Sequence, residues 1–207
     1  MKAEFSGNIY RFPLDFGMGY GYAELDDFSD VYSFDGILVT VFKLIDKEDK
    51  EHTIDEIRSS GILFGPVPIF RYPPKRGPLK WRLIGKNPDY LIKEWPVFKY
   101  YQKLLKSKDW SRADYWMKRD RKSDTISGVI EYVSYEIVRY LETTILNAAE
   151  GVASKITMMQ IIANREEVSG YYDLNLLENR NLYAQLVNTY YDKETAARLL
   201  EEIEDLL

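Results

Sequence analysis

Hydrophobic and polar residues alternate on both sides of a glycine-rich turn near the start of the chain. Alternation with a period of two residues predicts β-strands, and the glycines between the two runs predict the turn that joins them. Residues 7–25 are therefore expected to form a β-hairpin, and Pro13 favours an edge or irregular first strand because proline lacks a backbone N–H. The apolar and aromatic residues of this strand-like pattern are Ile9, Phe12 and Leu14 before the turn and Tyr20 and Tyr22 after it.

Similar short runs, separated by glycine and proline, continue to residue 84. The Asp-Gly dipeptide at residues 35–36 predicts a tight turn between two of them. Thr53 and Glu56 have the spacing of a capping box, which predicts that Thr53 is the N-cap of a short helix. Further strands are expected at residues 31–34, 37–44, 62–64, 67–70 and 79–84.

Beyond Pro88, apolar residues recur every three or four positions, which predicts amphipathic helices. The longest pattern begins at Ser123 and is expected to end at Gly151, with Ile137 on its buried face. Asp192 is the predicted N-cap of the last helix. The other helices are expected at residues 95–105, 152–163, 174–190 and 195–206. The apolar face of the longest helix would contain Ile126, Val129, Ile130, Val133, Ile137, Leu141, Ile145 and Ala148.

These patterns predict an α+β protein, in which an N-terminal curved antiparallel β-sheet or small barrel is followed by a mainly α-helical C-terminal part. The change of period predicts a β-rich domain over residues 1–94 and a helical domain or extension over residues 95–207. The composition, with 45% hydrophobic and 29% charged residues in a chain of 207, is that of an ordinary globular protein.

The absence of cysteine excludes disulfide bonds and thiol catalysis. No apolar run approaches the roughly 20 residues that span a bilayer, so no membrane segment is expected. The first five residues contain no apolar secretory region, and we therefore expect a cytoplasmic protein.

Charge is distributed unevenly along the chain. Residues 70–122 contain 16 Lys+Arg against 5 Asp+Glu, a net charge of +11, whereas the whole chain carries −5. Residues 1–69 carry −7 and residues 123–207 carry −9. Such segments can attract partners of opposite charge, or they can pair with one another inside a single fold.

Catalytic and metal-binding patterns are scarce. His52 is the only histidine, and it lies in the charged run 47–52, which is typical of a solvated loop. One histidine and no cysteine exclude a standard structural zinc site. The glycines of residues 17–21 lead into a second strand and lack the Gly-Lys-Ser/Thr sequence of a phosphate loop. We therefore predict no catalytic residue, no metal and no cofactor. A hydrolase that uses acidic residues is a further possibility, but the sequence contains no motif for one.

The segment 106–122 interleaves cations with aromatic residues. Cations can neutralise phosphates and exposed aromatic rings can stack on bases, so this segment could bind nucleic acid. Three aspartates interrupt the segment, and its aromatic residues could instead join the two halves of the protein. The nucleic-acid alternative rests on Trp110, Trp116, Lys118, Arg119, Arg121 and Lys122.

Two ordered groups of residues carry a resemblance to a known family. The first group is Gly7, Ile9, Tyr10, Pro13, Leu14, Gly19, Tyr20, Gly21 and Tyr22, while Ala23 stands where another small residue or glycine would be expected. The second group comprises residues 64–68, Phe-Gly-Pro-Val-Pro, and residues 80–86, Lys-Trp-Arg-Leu-Ile-Gly-Lys. Over about residues 5–95 the chain resembles the bacterial immunity protein 26 family of polymorphic toxin systems.

The resemblance implies a binding protein rather than an enzyme. Its partner would be a cognate toxin, which it would neutralise by stoichiometric occlusion of the active site or substrate groove. Many such toxins are nucleases with basic clefts, which acidic flanks would complement. We place four acidic residues near the binding surface, because they flank the hairpin and would repel one another if buried together. The predicted partner-binding residues are Asp26, Asp27, Asp30, Asp35, Tyr20 and Tyr22.

Overall fold

The computed structural model describes residues 5–28, 36–91, 93, 96–102, 114–118, 130–143 and 148–206. The chain divides into two compact units. The N-terminal unit comprises Met1–Glu94 with Ile145–Thr157, and the C-terminal unit comprises Trp95–Thr144 with Met158–Leu207.

An antiparallel sheet of five strands forms the N-terminal unit. Its strands are β1 (Asn8–Pro13), β2 (Tyr20–Asp27), β3 (Ile37–Asp46), β4 (Ile62–Ile69) and β5 (Arg82–Lys86). The spatial order is β4-β3-β2-β1-β5, so β4 and β5 are the edge strands. The predicted hairpin is confirmed, with Phe12 opposite Gly21 and a 3₁₀ turn at Asp15–Gly17 between its strands.

Helix α1 (Ile54–Ser59) covers one face of this sheet. The predicted capping box is confirmed: the Glu56 amide donates to Thr53 Oγ1 at 3.2 Å, and the Thr53 amide donates to Glu56 Oε2 at 2.8 Å. Ile57 is fully buried because α1 turns it onto the sheet. The cluster around it contains Ile9, Tyr22 and Phe42, with Leu44, Ile54 and Ile84 packed at its margin.

The first part of helix α3 (Ala149–Ala163), as far as Thr157, belongs to the N-terminal unit. The Ser154 hydroxyl donates to Asp15 Oδ2 at 2.6 Å, and the Asp15 amide donates to Thr157 Oγ1 at 3.1 Å. These bonds fix the 3₁₀ turn of the hairpin against the helix.

The C-terminal unit contains a second sheet, β6-β7-β8, where the sequence pattern predicts helices. Its strands are β6 (Phe98–Gln102), β7 (Asp114–Lys118) and β8 (Ile130–Val133). The predicted helix over residues 95–105 is therefore wrong. Aromatic residues favour strands, and the backbone of β6 also finds a tertiary partner, since the Lys99 amide donates to Glu142 O at 2.9 Å.

The predicted long helix over residues 123–150 is also wrong. After β8 the chain forms the short helix α2 (Tyr135–Val138), and Gly151 lies inside α3 instead of ending a helix. Ile137 is 60% exposed, whereas its neighbour Val138 is fully buried. Residues 129–133, Val-Ile-Glu-Tyr-Val, also form a short run rich in β-branched and aromatic residues, and periodicity alone does not distinguish such a strand from a segment of a buried helix. Ile126, Val129 and Ile145 lie outside the described residues.

Two further helices follow, α4 (Leu177–Tyr190) and α5 (Lys193–Leu200), with a 3₁₀ segment at Glu201–Leu206. Asp192 caps α5 as predicted, because its Oδ1 accepts from the Thr195 amide at 2.9 Å. Tyr183 is fully buried and donates to Leu199 O at 2.9 Å, which joins α4 to the end of α5. The predicted α+β class is confirmed, with a five-stranded antiparallel sheet followed by helices.

Candidate functional site

Strand β2 carries a row of polar side chains toward the face that α1 covers. Tyr20, Tyr22, Glu24 and Asp26 are spaced by two residues, so they share one side of the strand. Tyr22 packs against Ile57 of α1, which identifies that side. Polar clusters lie at the two ends of this row.

The first cluster is centred on Asp46, at the end of β3. The Tyr22 hydroxyl donates to Asp46 Oδ2 at 2.6 Å, and His52 Nε2 lies 3.0 Å from Asp46 Oδ1. Burial and the Asp46 carboxylate raise the pKa of Tyr22 well above its usual range. Burial alone would raise the pKa of Asp46 too, but the hydrogen bonds from Tyr22 and His52 outweigh it and hold that pKa below its ordinary value.

Arg11 fastens the loop after β3 to the sheet. Its side chain is only 5% exposed, and its guanidinium donates to Lys50 O at 3.0 Å and pairs with Asp49. The guanidinium also lies 4.4 Å from the ring centroid of Tyr20. These contacts hold the loop in one position beside Tyr20, which itself is half-buried.

The loop and the first turn of α1 expose a concentration of acidic side chains. We call residues 48–56 the acidic loop. Glu51 is 81% exposed and Asp55 86% exposed, although His52 within the same run is only 9% exposed. The expectation that His52 lies in a solvated loop is therefore wrong, because its side chain is largely buried. The acidic side chains are Glu48, Asp49, Glu51, Asp55 and Glu56.

Sequence reasoning did not place this loop at the site. The only sequence signal was the charged run itself, which is equally typical of a surface turn. Its position beside Tyr20 depends on Arg11, whose side chain reaches the loop from a strand 39 residues earlier in the chain.

The second cluster lies at the other end of the row, and its two carboxylates, those of Glu24 and Asp26, are buried. Lys93 Nζ donates to Glu24 Oε1 at 2.8 Å and to Asp26 Oδ2 at 3.0 Å. Tyr90 donates to Asp26 Oδ1 at 2.7 Å, and Asn87 donates to Glu24 Oε2 at 2.7 Å. Burial raises the pKa of Asp26, and the bonds from Tyr90 and Lys93 only partly oppose this shift.

The predicted partner-binding residues differ in their exposure to solvent. Asp26 and Tyr22 are each only 1% exposed, so the expectation that the aspartates avoid burial is wrong for Asp26, whose charge is met by Lys93. Asp27 is half-buried and accepts from the Tyr72 hydroxyl at 2.8 Å. Asp30 and Asp35 lie outside the described residues. Among the four that the structure describes, Tyr20 and Asp27 keep partial exposure.

The residues of the nucleic-acid alternative fall largely outside the described part of the chain. This is so for Trp110, Arg119, Arg121 and Lys122. Trp116 and Lys118 lie on β7, with Trp116 opposite Tyr100 of β6 and Tyr132 of β8.

Within the described ranges, no three His, Cys, Asp or Glu side chains converge in a way that could hold a metal ion. None of the helices in the same ranges has the length and apolar character needed to cross a bilayer.

Comparison with known proteins gives one match. The sequence model of the immunity protein 26 family matches residues 6–111, which is just over half of the 207 residues. No match was found among curated proteins or solved structures. The matched range includes the complete five-stranded sheet, the acidic loop and both polar clusters.

Proposed function

This chain belongs to the immunity protein 26 family, and from that premise we propose that it binds and neutralises a cognate toxin by stoichiometric occlusion. Immunity proteins of this family act in polymorphic toxin systems, so the partner is a toxin. The family match over residues 6–111 is the observation that carries the proposal. In this proposal the protein acts in the cytoplasm, by binding alone and without turnover.

The acidic loop supports a more specific form of the proposal. Exposed carboxylates beside a fixed aromatic ring combine charge complementarity with a rigid anchor, and tyrosine is enriched at such anchors. Arg11 holds the loop before any partner arrives, which lowers the entropy lost on binding. We therefore take the acidic loop with Tyr20 as the contact surface. A nuclease toxin with a basic substrate cleft is the partner class that fits it.

Co-expression with the protein encoded beside this chain's gene tests the function. We expect co-purification at a one-to-one ratio, loss of toxicity, and loss of the toxin's activity in vitro. Capture without neutralisation would exclude occlusion. The absence of capture, with tight binding of a single-stranded oligonucleotide instead, would favour the nucleic-acid alternative.

A charge-neutral variant tests the surface. Glu48→Gln, Glu51→Gln and Asp55→Asn together should weaken neutralisation, because they remove three exposed charges from the acidic loop. The matched control removes three exposed charges from the C-terminal unit with Glu167→Gln, Glu178→Gln and Glu194→Gln. Equal neutralisation by the two variants would remove the acidic loop from the proposal.

A further inference from the structure

Strand β5 is the edge of the sheet that is chemically able to accept another strand. It pairs with β1 on one side, and within the described residues no backbone hydrogen bond joins it to any other strand. The opposite edge strand, β4, contains Pro66 and Pro68, which have no N–H to donate. Strand β5 contains no proline.

The segment of the chain that ends in β5 is basic. Residues 70–86 contain six cations and no acidic residue. Among the described residues, Arg82 is the one cation of β5 that forms an ion pair. Its partner is Glu51 of the acidic loop, at 3.0 Å, and ion pairs as exposed as this one contribute little to stability. Leu83 is 52% exposed between these charges. We call Lys80, Arg82, Leu83 and Lys86 the basic edge.

The charges oppose self-association through this edge. An antiparallel copy of β5 centred on Ile84 would place Arg82 opposite Lys86, and a parallel copy in register would place each cation beside itself. Like charges directly opposite one another destabilise paired strands. A second copy of this chain is therefore a poor occupant, whereas an acidic strand would face complementary charge.

We propose that an extended acidic segment of the toxin adds to β5 as a sixth strand. Backbone hydrogen bonds to β5 would supply affinity, and the pairing of acidic side chains with Arg82 and Lys86 would select the partner. An apolar residue of the segment would cover Leu83. This inference rests on the proposed function and adds a second contact region beside the acidic loop, to which Arg82 is joined through Glu51.

The test uses the full-length chain and the toxin encoded beside its gene. Amide hydrogen exchange should show new protection of residues 82–86 in the complex, with residues 62–69 of the opposite edge as the internal control. Arg82→Glu with Lys86→Glu should weaken binding at least about tenfold, since two attractive contacts become repulsive. The matched control, Lys193→Glu with Arg198→Glu, makes the same charge change at two exposed residues of the C-terminal unit and should alter Kd less than about twofold.

The outcomes separate this inference from the function on which it rests. Neutralisation by the wild type without added protection of β5 would overturn strand addition and leave the function standing. Failure of the wild type to bind the toxin would overturn both. Loss of binding to a polythymidine oligonucleotide in the edge variant, with toxin affinity unchanged, would assign the basic edge to nucleic acid. The exchange measurement is made on the wild type, so it does not depend on the variant's folding.

Discussion

Asp46 joins the side chains of the polar cluster beside the acidic loop. Its carboxylate accepts from the buried Tyr22 and lies against His52, and its pKa is lowered in the folded protein. A lowered pKa contributes stability above the unfolded value of about 4 and loses it as the pH falls through the folded value. Asp46→Asn should therefore destabilise the protein by about 1–3 kcal/mol at neutral pH.

The difference between Asp46→Asn and the wild type should shrink as the pH is lowered from about 5 toward 3, because the wild-type carboxylate then becomes protonated. Urea unfolding across this range measures the effect. Asp55→Asn is the control, since Asp55 is 86% exposed and should show almost no pH-dependent difference. A constant difference at every pH would mean that the Asp46 charge is not what stabilises the cluster.

Single residues were the part of the site that the sequence predicted least well. Asp26 follows Leu25 in an alternating strand, and nothing near it in the sequence identifies Lys93, which lies 67 residues later, as its counter-ion. The same is true of Arg11 and the acidic loop. The local sequence pattern predicts which residues form a strand. Whether a charged side chain of that strand is buried depends on a partner that only the tertiary structure supplies.

At the scale of elements, the glycine-rich hairpin turn contains two glycines with different roles. Both have positive φ, +68° at Gly17 and +113° at Gly19. A Cβ at Gly19 would lie 1.9 Å from Asp46 O, whereas nothing lies within 4 Å of a Cβ at Gly17. Gly19→Ala should cost about 3–5 kcal/mol, because the clash with β3 adds to the backbone strain.

Gly17→Ala is the matched comparison and should cost about 1 kcal/mol, from strain alone. Chemical denaturation of the two variants gives both values. Similar costs would show that the backbone of β3 moves away easily at Asp46. In that case the site would be less rigid than its hydrogen bonds indicate.

Helix α2 provides a second element-scale prediction. Ile137→Asp should change stability by less than about 0.5 kcal/mol, because Ile137 is exposed. Val138→Asp should cost about 3–5 kcal/mol, since it places a charge where the side chain is fully buried. Urea midpoints of these adjacent variants provide the measurement. A large loss at Ile137 would restore the buried face that the sequence pattern predicted.

The elements divide according to how local their signals are. The hairpin and the two caps were predictable, because glycine placement, Thr53 with Glu56, and Asp192 act within a few residues. Strands β6 and β8 were not. Ile130 and Val133 are spaced by three residues, a spacing that fits one face of a helix, and their pairing with β7 joins residues 12 or more positions away.

For the whole molecule, charge is organised by surface as well as by segment. The acidic loop and the basic edge meet at the Glu51–Arg82 pair, so surfaces of opposite sign adjoin within the N-terminal unit. The sequence predicted opposite charges in successive segments, but their adjacency required the sheet order that places β5 beside β1. The two regions can therefore act on one partner in different ways.

Association kinetics with the toxin separate these two actions. The acidic loop attracts from a distance, so removing its charges at Glu48, Glu51 and Asp55 should slow association several-fold at low salt, with little change in dissociation. At about 1 M salt the Debye length falls to about 3 Å, and the difference should disappear. The basic edge should behave differently, because Arg82→Glu with Lys86→Glu disturbs a strand contact and should mainly accelerate dissociation. Stopped-flow association and dissociation at two salt concentrations measure both rates. A loop variant that dissociates faster with an unchanged association rate would show that the acidic loop is itself a buried contact and does not serve to steer the toxin.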